Sequence, residues 1–108
     1  MQQAGDVSAR AMFGGYGLYF HDLQHGKIMF ALVANDILYF KTDSGNRPDF
    51  ERRDLPAFSY RNKDKTYNMS YHRAPEEVFD DPDEMQQWVN SALGAALRAK
   101  KTGRRDQQ

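Results

Sequence analysis

The segment that most constrains this chain lies in its last third. Met85, Trp88, Val89, Ala92, Leu93, Ala96 and Leu97 recur in steps of three and four, the spacing that gathers apolar side chains on one face of an α-helix. The residues just ahead mark its start. In Asp81-Pro82-Asp83-Glu84, Asp81 offers an N-cap acceptor and Pro82 sits where a missing N–H costs nothing. Asp83 and Glu84 suit the positive end of the helix dipole, and Glu84 has capping-box spacing to Asp81. Arg98, Lys100 and Lys101 suit the negative end. Such a helix is stable only against a second layer.

Antiparallel sheet supplies that layer. Residues 28–34 and 37–41 are apolar, β-branched and aromatic, and Asn35-Asp36 between them tolerates the positive φ of a tight hairpin. Alternation places Ile28, Phe30 and Leu32 on one face, joined by Leu38 and Phe40. Residues 58–61 and 66–73 form a second hairpin around Asn62-Lys63-Asp64-Lys65. Residues 48–54 read as a short helix anchored by Phe50 and stopped before Pro56. Residues 7–13 and 18–21 make an earlier strand pair around Gly14-Gly15-Tyr16-Gly17, which reads as a turn or bulge needing positive φ. The predicted class is α+β, a two-layer sandwich with helices on one face of an antiparallel sheet. Met1-Gln2-Gln3-Ala4-Gly5 resembles the last turn of a helix with a glycine C-cap. A sheet this size needs more cover than the remaining helices give, so the first helix is expected to be largely missing.

Composition narrows the function classes. At 108 residues the chain is one domain, and without cysteine it has no disulfide framework. No apolar run reaches membrane length and no leader is recognisable, so a cytoplasmic protein is expected. Fifteen bases balance fifteen acids, but unevenly. Glu76, Glu77, Asp80, Asp81, Asp83 and Glu84 form an acidic stretch, whereas Arg98, Lys100, Lys101, Arg104 and Arg105 face only Asp106. We divide the chain into a domain over 1–99 and a disordered basic tail over 100–108.

No residue set has the spacing of a catalytic motif. The glycine cluster lacks both the dinucleotide fingerprint and the phosphate-loop lysine. His21, Asp22, His25 and His72 are the only metal-ligand candidates, and we read the first three as a solvated loop. Ser59 or Ser70 beside His72 has no nucleophile-elbow context. Tyr16, Tyr19, Tyr39, Tyr60, Tyr67 and Tyr71, interleaved with Arg10, Lys41, Arg61 and Arg73, fit either aromatic cross-strand pairs or a base-stacking sheet. We therefore expect a non-enzymatic protein with no cofactor.

Arg10-Ala11-Met12-Phe13-Gly14-Gly15-Tyr16-Gly17-Leu18-Tyr19 resembles the signature of the TfoX/Sxy family, in its N-terminal domain. Ile37-Leu38-Tyr39-Phe40-Lys41, Phe58-Ser59-Tyr60, Met69-Ser70-Tyr71 and Pro75-Glu76-Glu77-Val78 follow in the family's order, so the resemblance spans residues 7–99. It implies a secretion-chaperone-like fold: helix, three strands, helix, two strands, helix. It also implies a bacterial module linked to competence and transcription regulation. Partners are then proteins of the transcription machinery, such as the cyclic-AMP receptor protein, with a homodimer as another arrangement and no membrane. The two-domain members carry a C-terminal domain for which this chain has no room. Arg10, Met12, Phe13, Gly14, Gly15 and Gly17 carry the motif, in a structural or binding role. A nucleic-acid-binding domain using the aromatic sheet or basic tail is the alternative; a metal protein or enzyme ranks below it. The missing helix predicts an exposed apolar patch on the sheet.

Overall fold

A computed structural model describes residues 6–12, 15–62 and 65–102. Strands β1 (Val7–Met12), β2 (Gly15–Asp22), β3 (Gly26–Ala34) and β4 (Ile37–Lys41) come first. Helix α1 (Arg47–Glu51) precedes strands β5 (Ala57–Asn62) and β6 (Lys65–Arg73). A turn of 3-10 helix (Glu76–Phe79) then leads into α2 (Pro82–Thr102). The six strands form one antiparallel sheet in the order β1-β2-β3-β4-β6-β5, so the layered α+β class holds. Four strands, not three, precede the first described helix. The expected helix turn over Met1 to Gly5 lies outside the described residues.

Asn35 and Asp36 adopt φ of 53° and 64°, the left-handed pair that closes the β3–β4 hairpin. The faces do not follow simple alternation. Leu18 pairs with Ala31 but Tyr19 with Met29, so Phe30 is an extra residue in β3. That bulge reverses the phase. Ile28, Phe30, Ala31 and Phe40 join the core beneath α2, whereas Leu32 goes to the opposite face with Ala34, Phe58 and Tyr71. The shared face expected for Ile28, Phe30 and Leu32 is thus corrected at Leu32.

The glycine cluster is also corrected. Gly15, Tyr16 and Gly17 lie inside β2 rather than in a turn, and Gly26 is the positive-φ glycine among the described residues. Phe13 and Gly14 fall outside them.

Helix α2 lies over β3 and β4. Ala92, Ala95 and Ala96 are fully or almost fully buried, and Ala92 and Ala96 share a cluster with Ala31 and Ala74. Small side chains on both layers let the helix approach closely. Phe50 is wholly buried where α1 meets this core, its ring edge-on to Trp88 at 4.9 Å. Asp81 caps α2 as expected, its carboxylate accepting from the Asp83 N–H at 3.0 Å and the Glu84 N–H at 3.4 Å. The reciprocal half of the capping box is replaced. Glu84 accepts from Trp88 Nε1 at 3.1 Å, and the Asp81 N–H donates to the Glu77 carbonyl at 3.1 Å. The helix runs on to Thr102, so Lys100 belongs to it.

Candidate interaction surfaces

The loop after β4 ties sheet and helix together through polar side chains. Asn46 is 4% exposed; its Oδ1 accepts from the Asp43 N–H at 2.7 Å. Its Nδ2 donates to the Lys41 carbonyl at 3.1 Å and to Ser91 Oγ at 3.1 Å. Asp43 receives Arg98 in a two-pronged pair, Nε to Oδ2 at 2.5 Å and Nη2 to Oδ1 at 2.9 Å. The guanidinium holds the Asp43 carboxyl below its ordinary value, and Asp43 in turn raises that of Arg98.

The histidines are distributed among separate environments. His21 Nε2 lies 2.9 Å from Ser8 Oγ, and His25 Nδ1 lies 2.8 Å from Asp22 Oδ2. That hydrogen bond lowers the Asp22 pKa. His72 sits in the core, 5.5 Å from the Phe50 ring, with Nδ1 3.0 Å from Thr42 Oγ1. Thr42 is 1% exposed, so this pair has no approach for a substrate. Among the described residues no three metal-ligating side chains converge.

Burial pushes the His72 pKa below its ordinary 6.5. The unfolded chain therefore takes up this proton first, and the stability held above the unfolded value is lost as pH falls from about 6.5 toward the folded value. The melting temperature is expected to fall as pH drops below about 6.5, and to fall less in His72→Gln. Equal slopes in calorimetry would contradict this. The depressed carboxyls of Asp22, Asp43 and Glu77 act in the same sense at lower pH, their contribution being lost as pH falls below the ordinary carboxylate value of about 4.

Tyr19, Tyr39 and Tyr71 turn inward or are covered. Tyr71 is 6% exposed, burial raises its pKa, and the Lys41 ammonium lies 5.3 Å from its ring. Lys27 covers Tyr19 in the same way at 5.5 Å, and Tyr39 packs edge-on to Phe58 at 4.9 Å. Tyr39, Phe58 and Tyr71 thus belong to a second small core with Leu32 and Ala34. Tyr16 differs: it is 54% exposed.

That exposure belongs to an apolar strip. Val7, Ala9 and Ala11 pair with Phe20, Leu18 and Tyr16, so all six share one face of β1 and β2. It is the face that α2 covers farther along, over β3 and β4. Val7 is 58% exposed, Ala9 and Ala11 are exposed, and Leu18 and Phe20 are half-buried. The expected apolar patch is therefore present, beside an edge strand whose outer side has no partner among the described residues. Of the motif residues, Arg10 and Met12 lie in β1 opposite Gly17 and Gly15 of β2.

Three of the surface clefts border α2. One of about 420 Å³ between α1 and α2 mixes Asp49, Arg52, Arg53 and Glu84. Arg53 there lies over the Trp88 ring and pairs with Glu77, lowering that carboxyl's pKa. The other two adjoin the C-terminal end of α2.

A helix-backed antiparallel sheet with an apolar strip on its first hairpin defines a small two-layer α+β domain. The family model of the TfoX N-terminal domain matches residues 1–96, and the chain belongs to that family. No curated protein matches it. Among the described residues no helix is long and apolar enough to cross a membrane.

Proposed function

We propose that this TfoX-like domain is a non-enzymatic regulatory module that acts by protein contact, and that the apolar strip on β1 and β2 is the contact surface. The observation that carries this reading is the exposure of Val7 and Tyr16, at 58% and 54%, on the same face as Ala9 and Ala11. A contiguous apolar strip beside an unpaired strand edge is a surface for packing and strand addition. Family membership supports bacterial transcription as the setting, with the cyclic-AMP receptor protein as the first partner to test. The domain would work in the cytoplasm.

Co-elution with purified receptor protein, followed by light scattering, tests the reading. A complex is expected at micromolar concentrations and is expected to be lost in Ala9→Glu/Ala11→Glu, whose side chains project from exposed strand positions. No complex with the receptor or with RNA polymerase overturns the reading. So does a homodimer that the same variant splits, because a second copy then occupies the strip.

A further inference from the structure

The zero net charge conceals a polarised molecule. Helix α2 carries Asp83 and Glu84 in its first turn and Arg98 and Lys100 near its end. Its 21 residues separate those ends by about 30 Å. At the basic end, a cleft of about 280 Å³ is lined by Lys27, Lys41 and Lys100 with no acid, above apolar walls that include Met29 and Tyr71. The adjoining cleft, about 350 Å³, holds Lys41, Arg47 and Arg98 with the hydroxyls of Ser44 and Ser70. The two share Lys41 and Ala99, so they form one continuous surface. Five bases line it against a single carboxylate, Asp43, which Arg98 already holds from two sides.

We propose that this basic surface binds the phosphodiester backbone of nucleic acid, independently of the apolar strip. The charges are strung across two clefts, which fits a chain of phosphates better than one anion. Serine hydroxyls and lysine or arginine side chains are the groups that contact phosphate without reading bases. Tyr71, the ring that lines this surface, is packed inward, so the contact proposed here is electrostatic and insensitive to sequence.

Fluorescence anisotropy with a short labelled DNA duplex across a salt series tests the proposal. The logarithm of the binding constant is expected to fall with the logarithm of salt at a slope of about −3, for three to four neutralised phosphates. Lys27→Gln and Arg47→Gln, each checked for an unchanged melting temperature, are expected to weaken binding roughly tenfold at 50 mM salt and to flatten the slope by about one. Arg52→Gln removes the same charge from the α1–α2 groove and is expected to leave binding unchanged. The proposal is overturned by absence of binding at low salt or by an equal loss in Arg52→Gln. It is also overturned if only Arg104→Gln/Arg105→Gln loses binding, or if anionic phospholipid vesicles bind as tightly as the duplex.

Discussion

Truncating Phe50 to alanine is expected to destabilise the domain by about 3–5 kcal/mol and to lower its melting temperature by roughly 15–30 °C. The side chain is wholly buried and touches three elements at once: its own short helix α1, Trp88 on α2 and His72 on β6. None of these can move into the void without leaving another contact. A five-residue helix has too few hydrogen bonds to persist alone, so loss of its anchor also releases α1. Denaturant titration should show a lower midpoint, and Phe50→Leu should recover most of the loss because it keeps most of the volume. A loss below about 1 kcal/mol for the alanine variant would mean that the site collapses freely.

Gly15→Ala is expected to be nearly as costly, about 3 kcal/mol, although it adds one methyl group. A Cβ at Gly15 would lie 1.8 Å from the Val33 carbonyl oxygen and 2.9 Å from its carbon. Both are backbone atoms of β3, so relief requires the strands to separate rather than a side chain to rotate. Gly26 provides the comparison. Its φ of 76° disfavours alanine, but nothing lies within 4 Å of the added atom. Gly26→Ala should therefore cost about 1 kcal/mol through backbone strain alone. Equal melting temperatures for the two variants would rule out the close approach at Gly15. This contact gives the glycine of the family motif a physical reason: β2 comes too near β3 for any side chain there.

The elements legible in the sequence are those with local causes. Asp81 and Pro82 start α2, and Asn35-Asp36 turn β3 into β4, through interactions spanning a few residues. The faces of β3 were less legible because Phe30 is an extra residue only relative to β2, and pairing across strands decides that. Glu76 to Phe79 was read as charge and capping, yet buried Val78 makes it a packed turn; the cue was Val78 shortly after Pro75. Lys100 was assigned to a tail because the segment has no large apolar residue, but the helix hydrogen bonds continue past the last core contact. The apolar strip was foreseen from the shortage of cover. The basic clefts were not, because Arg98 and Asp43 lie 55 residues apart and meet only once α2 folds over the sheet.

Because α2 spans β3 and β4 and leaves β1 and β2 largely outside its shadow, amide hydrogen exchange is expected to be faster in β1 and β2 than in β3 and β4. The β3–β4–β6 region carries Ala31, Phe40 and the helix contacts, and can open only with the global core. The β1–β2 hairpin is held by strand hydrogen bonds and reaches that core through Leu18 and Phe20 of β2, so its opening is expected to need less free energy than opening of the core. Its strand edges would then be free to pair elsewhere without cost to the rest of the fold. The half-covered sheet thus puts the proposed contact surface in the part of the domain expected to open first.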